Sequence, residues 1–379
     1  MRRAAALWTT VGSLLLASLG QVLVPQLPTK GGFKLSQLGV GTWQWGNKLL
    51  WGYDTKQDET LKEVFETFTS SGASWFDTGD SYGTGELEGR AEELLGRFAK
   101  DAEQEGRPRV VLATKLAAYP WRLTPESMVS AVRGSLKRMG RVDIAQMHWS
   151  PRSYGFGFQV FHWRTFCKIA VLPAAHAFHR ISSAAEDALL DGLCKCYDLG
   201  LCRGVGLSNF GPQNLRRAAA ILDARSVPLV LNQVQYSLLS PERESGVAEV
   251  CQELGVPLVA YSPLCLGLLA GRYQADGRKP ESFLRSFLFS SLLSNAETQK
   301  LLSLLKEIGD CRSKTMAQVA LNFALTEGQG CAIVGARNKQ QVLENLGACG
   351  WSLNDNEVSA LQAAARRAPK TQKNPFFSD

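Results

Sequence analysis

Short apolar runs alternate with amphipathic segments along the chain, and eight such units predict an α/β fold, a closed (β/α)8 barrel of the TIM type. Two further observations point the same way. The chain has 379 residues, 45% of them hydrophobic and 20% charged, enough to bury one large barrel core or two smaller ones. Polar residues suited to acid–base work also fall at the ends of successive apolar runs, where a barrel gathers its loops on one face.

In order, the strands are read at Leu38 to Thr42, Trp75 to Thr78, Val110 to Lys115 and Asp143 to His148. Gly204 to Ser208, Leu229 to Gln233, Pro257 to Tyr261 and Ala332 to Gly335 complete the set. Helical periodicity marks Asp58 to Ser71, Glu86 to Ala102 and Thr124 to Met139, then Pro212 to Ala224, Pro241 to Leu254, Thr315 to Thr326 and Lys339 to Ala348. Two connections are longer than the rest: the one between the fourth and fifth strands, and Leu264 to Lys314 after the seventh. Both follow a strand's C-terminal end, so their length is expected to serve the site.

Residues 1–25 stand apart. Arg2 and Arg3 precede an uncharged run from Ala4 to Val24 that stops at Pro25, with small residues near Ser18 and Gly20. That is the layout of a cleaved signal peptide; the alternative is an uncleaved membrane anchor. No acidic residue precedes Asp54, which also suits plastid import. The barrel is expected over 33–367 and a C-terminal tail over 368–379. Inside the barrel, 151–182 reads as an atypical insertion: Pro151 to Arg180 has no acidic residue and is crowded with Phe, Trp and His, which predicts poor order.

The formal charge of +7 is spread over the start, a middle segment and the end, with no basic stripe interleaved with aromatics. Nucleic acid is excluded as a partner, and small molecules are expected. Nine cysteines scattered through predicted helices and strands read as free thiols in a reduced compartment. Cys194, Cys196 and Cys202 lack a fourth ligand nearby, and His162, His176 and His179 with Cys167 match no common spacing, so no metal is expected.

Asp77 ends the second strand, Tyr82 follows in its loop, Lys115 ends the third strand and His148 the fourth. Parallel strands about 4.8 Å apart let these side chains converge over one carbonyl oxygen. A free tyrosine, with a pKa of about 10, is a poor acid at neutral pH. Lys115 is expected to lower that value by stabilising the phenolate, Asp77 to hold Lys115 charged, and neutral His148 to orient a carbonyl. Each residue alone has a structural explanation; together at successive strand ends they form a site.

Phe76 through Gly83, Ala113-Thr114-Lys115, Gln146-Met147-His148-Trp149 and Gly206 through Phe210 resemble successive signatures of the aldo-keto reductase superfamily. Asn232 through Ser237, Tyr261 through Leu264, Gly267 through Tyr273, and Ile333 through Arg337 with Glu344-Asn345 are similar to its later elements. The resemblance implies NADPH-dependent reduction of an aldehyde or ketone to an alcohol, with hydride from the nicotinamide and the proton from Tyr82. By position, Asp77, Tyr82, Lys115 and His148 match the catalytic tetrad. Ser208, Asn209 and Gln233 match residues that hold the nicotinamide carboxamide, and Tyr261 the ring that stacks on it. Gly41, Thr42 and Trp43 count among the cofactor-binding positions. Ser262, Pro263, Leu264 and Gly267 match the pyrophosphate loop, and Gly335, Arg337, Gln341, Glu344 and Asn345 the segment at the adenosine 2′-phosphate and adenine. Arg337 argues for NADPH over NADH. The chain departs from some members at Gly335-Ala336, where they carry Lys then Ser, and at Gln341, where they carry Arg.

The stretch from Trp351 to Asp379 is most similar to plastid-type members from photosynthetic eukaryotes, which makes the plastid or chloroplast the expected location, with the secretory pathway or a membrane anchor as alternatives. Trp43, Trp45, Trp51 and Trp149 are expected near the mouth, lining an apolar or aromatic pocket. Candidate substrates include reactive aldehydes, quinones and a vitamin aldehyde such as pyridoxal. Two other functions share the barrel. One is a nucleotide-sensing regulatory subunit like the potassium-channel β subunits, which binds without turnover. The other is an aldolase or isomerase using Lys115 as a Schiff-base nucleophile, which needs Lys115 desolvated without a carboxylate beside it.

Overall fold

The structure is a computed structural model that describes residues 24–153, 172–273, 289–327 and 330–379. Most of the targeting segment and residues 154–171 of the insertion, with His162 and Cys167, lie outside the described residues.

Eight parallel strands form the barrel: β3 (Leu38–Gly41), β4 (Trp75–Gly79), β5 (Val111–Leu116), β6 (Ile144–Met147), β7 (Gly204–Ser208), β8 (Leu229–Gln235), β9 (Leu258–Tyr261) and β10 (Cys331–Val334). Each pairs with the next, and β10 pairs with both β9 and β3, so the sheet has no free edge. The strands are buried on both faces, which is why they read in sequence as continuous apolar runs. Before them, β1 (Gln26–Pro28) and β2 (Lys34–Ser36) form an antiparallel pair. The adjoining Phe33 and Leu35 pack with Trp75, Ile144, Val230, Val259 and Ile333. These residues lie toward the strands' N-terminal ends, so the barrel is closed from below by a packed core.

The helices are α1 (Asp58–Ser70), α2 (Arg90–Gln104), α3 (Pro125–Met139), α4 (Leu172–Asp198), α5 (Pro212–Ala224), α6 (Val247–Glu253), α7 (Ala296–Arg312), α8 (Met316–Glu327), α9 (Lys339–Leu346) and α10 (Asp355–Arg367). The expected helix from Pro241 to Leu254 is in fact a 3-10 turn, Pro241–Glu244, followed by α6. Gly246 between them has φ of 83°, a left-handed conformation that ends one helical segment and starts another. The expected helix at Glu86 likewise starts only at Arg90, after a separate turn at Gly85–Leu87.

The expectation of irregular structure through 182 is corrected over its second half, where α4 already runs from Leu172. Ala and Leu dominate that segment, and Pro173 stands in its first turn, where a missing N–H costs nothing. The helix is fixed by Glu186, fully buried, which accepts from Ser150 Oγ and pairs with Arg152 and Arg217. Those bonds tie α4 to the loop that follows β6, through Ser150 and Arg152, and to α5, through Arg217. Cys194 and Cys196 face the core from the same helix. The sequence reading also left α7 and α10 unassigned. They pack with α8 and the loop after β9 through Leu268, Leu301, Leu305, Phe323 and Leu361. Among the described residues, no helix is long and apolar enough to cross a membrane.

Candidate active site

Strand register brings the polar residues together. Asp77 of β4 lies across from Gly41 of β3, and Lys115 of β5 across from Gln146 of β6. Lys115 Nζ pairs with Asp77 Oδ2, and both side chains are buried. The other Asp77 oxygen accepts from Gln146 Nε2 and Gln233 Nε2, each at 2.8 Å. A buried carboxylate held by an ammonium and two amides has its charge matched and its lone pairs occupied. Gln146 was not singled out from sequence as a site residue; its place at the end of a strand beside Lys115 was the available signal.

Tyr82 and His148 complete the cluster. Lys115 Nζ is 5.1 Å from the centre of the Tyr82 ring, and the His148 ring meets Tyr82 edge-on at 5.8 Å. The loop carrying Tyr82 is fixed by Asp80, which accepts from Ala117 N at 3.1 Å and pairs with Arg122 at 2.8 Å. Burial raises the Tyr82 phenol well above its usual range, and the charges of Asp77 and Asp80 push it the same way. The lowering expected from Lys115 is outweighed: desolvation comes first, and the net direction is upward. Burial likewise lowers the Lys115 ammonium against the opposing pull of Asp77. The His148 imidazole is driven well below its usual range by burial and then by Lys115, so it is neutral at physiological pH. Its Nδ1 and Gln146 Oε1 are buried without a hydrogen-bond partner.

Beyond this cluster, Ser208 and Asn209 end β7, with Asn209 at φ 66°. Asn209 Nδ2 donates to His148 O at 2.9 Å, and Tyr261 OH donates to Asn209 Oδ1 at 3.0 Å. Gln233, which the resemblance assigns to the carboxamide, donates through Nε2 to Asp77. Thr42 gives both its N–H and its hydroxyl to Asp77 O, so it secures the β4 backbone. Trp43 is partly exposed and stands edge-on to Trp51, 6.0 Å away.

The loop after β9 carries left-handed backbone at Ser262, Cys265, Leu266 and Gly267. Pro263 is buried, and Gly267 N donates to Leu264 O at 3.0 Å, so the loop curls back on itself. At the start of α9, Gln341 Oε1 accepts from Arg337 N at 3.0 Å and Asn345 Nδ2 reaches Gly335 O at 3.4 Å. Glu344 pairs with Arg272 at 2.8 Å, joining this segment to the loop after β9. Arg337 is exposed, and its guanidinium forms no ion pair among the described residues.

The mouth is aromatic, though not in the way the sequence reading proposed. Trp45 is fully buried against Phe98, 5.8 Å away, because its loop turns back under α2; it does not line the mouth. Trp149 packs beside His148 at 4.7 Å and under Phe376 at 4.5 Å. Tyr119 stands edge-on to Trp149 and stacks on Trp121, which is 75% exposed. Among the described residues, no three His, Cys, Asp or Glu side chains form a group that could hold a metal.

The model of the Aldo/keto reductase family matches residues 37–366. The chloroplastic pyridoxal reductase of Arabidopsis thaliana is 41% identical over 352 residues, covering 92% of this chain and 88% of that one. A thermostable aldo-keto reductase crystallised with the inhibitor epalrestat is 25% identical, covers 89% of this chain and 99% of its own, and superposes with a TM-score of 0.63. An aldo-keto reductase of Bombyx mori in complex with NADP is 21% identical, with a TM-score of 0.62 and coverage of 90% and 93%. With the barrel, the strand-end cluster and a match over most of its length, the chain belongs to the aldo/keto reductase family.

Proposed function

We propose that this protein uses NADPH to reduce a planar aromatic aldehyde to its alcohol, that Tyr82 is the proton donor, and that pyridoxal is the first substrate to test. The observation that carries the reading is the buried Lys115–Asp77 pair set against Tyr82, with His148 beside it. A phenol held protonated by burial is in the state a proton donor needs at neutral pH. A carbonyl oxygen between Tyr82 and neutral His148 would accept from the Tyr82 hydroxyl, while Lys115 stabilises the phenolate left behind. Asp77 with its two amide donors keeps Lys115 in place through that change.

The residues present fit the dinucleotide. The curled loop after β9 suits a pyrophosphate; Arg337, exposed and without an ion pair among the described residues, suits a 2′-phosphate; and the partly buried Tyr261 suits a flat ring. Bound NADPH would supply the hydride to the carbonyl carbon. The aromatic rim of Trp149, Phe376, Tyr119 and Trp121 supports a flat substrate, and the name of the Arabidopsis relative supports pyridoxal in particular. That relative's chloroplastic location supports the plastid for this chain too, tested by fusing its N-terminal segment to a fluorescent protein.

The test of function is loss of NADPH absorbance with pyridoxal and a panel of aliphatic and aromatic aldehydes, beside the Tyr82→Phe variant. Turnover that falls by about a hundred- to ten-thousandfold in the variant, with NADPH binding kept, is the expected result. Binding without turnover in the wild type would favour a nucleotide-sensing role instead.

A further inference from the structure

We infer that Asn374, in the C-terminal tail, is a positioning residue for the nicotinamide end of the cofactor and acts through Tyr261 and Asn209. The inference rests on the proposed function, which sets a flat ring of the cofactor against Tyr261, and on the family resemblance, which puts Asn209 beside the same ring.

The tail is fastened across the mouth of the barrel. Thr371 N donates to Leu239 O at 2.9 Å, Asn374 N to the buried Glu242 at 2.7 Å, and Ser378 N to Asn209 O at 3.0 Å. Gly211 N returns a bond to Ser378 O at 2.7 Å, and Phe377 is buried. Asn374, itself only 7% exposed, is thus held with its amide over the end of β7 and β9.

Its two amide hydrogens go to two acceptors: Asn209 Oδ1 at 2.6 Å and Tyr261 OH at 2.7 Å. The Tyr261 hydroxyl spends its own hydrogen on the same Asn209 oxygen. The three side chains therefore form a closed ring of bonds in which every hydrogen has one acceptor. Asn209 Nδ2 is occupied as well, by His148 O at 2.9 Å and Ser208 Oγ at 3.2 Å.

Two consequences follow from that count. The two bonds pin the Tyr261 oxygen, so the side chain cannot swing away from the mouth without breaking them, and its place against a flat ligand is set before the ligand arrives. Asn209, with both lone pairs and both hydrogens in use, brackets the Tyr261 hydroxyl from the β7 side. Without Asn374, Tyr261 keeps one hydroxyl bond and Asn209 regains an open lone pair.

The experiment measures dissociation constants for NADPH and for 2′,5′-ADP, which carries the adenosine 2′-phosphate but no nicotinamide. The proteins are the wild type, Asn374→Leu, Tyr261→Phe and the double variant, with Asn374→Asp as a second substitution that keeps size and the acceptor for Phe376 N. We expect both Asn374 variants to weaken NADPH about five- to tenfold, the worth of one net hydrogen bond, and to leave 2′,5′-ADP within about twofold. The loss should be smaller in the Tyr261→Phe background. Equal loss for both ligands, or the same loss with and without the Tyr261 hydroxyl, would reduce Asn374 to a structural anchor and overturn the inference, as would no loss at all. Failure of the wild type to bind NADPH is a separate result, and it would bring down the proposed function itself.

Discussion

Burial and the neighbouring Lys115 charge hold the His148 imidazole well below the usual histidine range, and that has a consequence for stability. Above a pH of about 6.5 the ring is neutral in both folded and unfolded chains, and it contributes nothing that varies with pH. As the pH falls below that value the unfolded chain takes a proton that the folded one refuses, so stability is lost until the folded value is passed. Urea midpoints of the wild type and His148→Gln, compared at pH 7 and pH 5, should therefore converge or cross as the pH drops. Parallel midpoints at the two pH values would show that the imidazole protonates freely. Burial acts on Tyr82 in the same sense, withholding charge from its phenol, so the folded protein keeps there the proton that a donor must carry.

Elements meet at spacings that single atoms decide. A Cβ on Gly96 of α2 would lie 2.5 Å from Met139 Cα and 2.8 Å from Met139 O, at the C-terminal end of α3. Because the obstacle is backbone, Gly96→Ala must push the helices apart, and we expect it to lower the unfolding free energy by about 1–3 kcal/mol in denaturant titration. Such contacts mark the limit of what the sequence discloses. The strands were legible because burial on both faces leaves unbroken apolar runs, and the convergence of Asp77, Lys115 and His148 because these residues close such runs in order, with Tyr82 in the loop after the first. Trp45 was misplaced because periodicity does not say which way a loop turns, and here it turns under α2. Asn374 has no role legible in the sequence, since an irregular segment has no repeat to reveal partners 113 and 165 positions away. Gln233 was legible as a site residue but not as a partner of Asp77, because two amides sharing one carboxylate oxygen depend on barrel curvature.

At the scale of the whole molecule, a dinucleotide held as proposed, by Tyr261, the loop after β9 and Arg337, binds the closed barrel alone, so binding should be felt as global stability. With free NADPH at a hundred times its dissociation constant, the unfolding free energy should rise by about 2.7 kcal/mol, read as a shift of the thermal midpoint. No shift at that concentration would mean that the folded barrel has no such site. The closed barrel also sets the order of events in making the protein. The final strand, β10, seals the cylinder by lying beside β3, and Gln44 bonds to Ala336 across 292 residues of sequence. Until that strand has left the ribosome, β3 and β9 each present an unpaired apolar edge to every other nascent chain nearby. The last residues are needed as well, since Ser378 and Asp379 fasten to the end of β7 and the start of α5. A chain still open at its seam exposes those edges, and it is in that interval that chaperones binding apolar segments would find it.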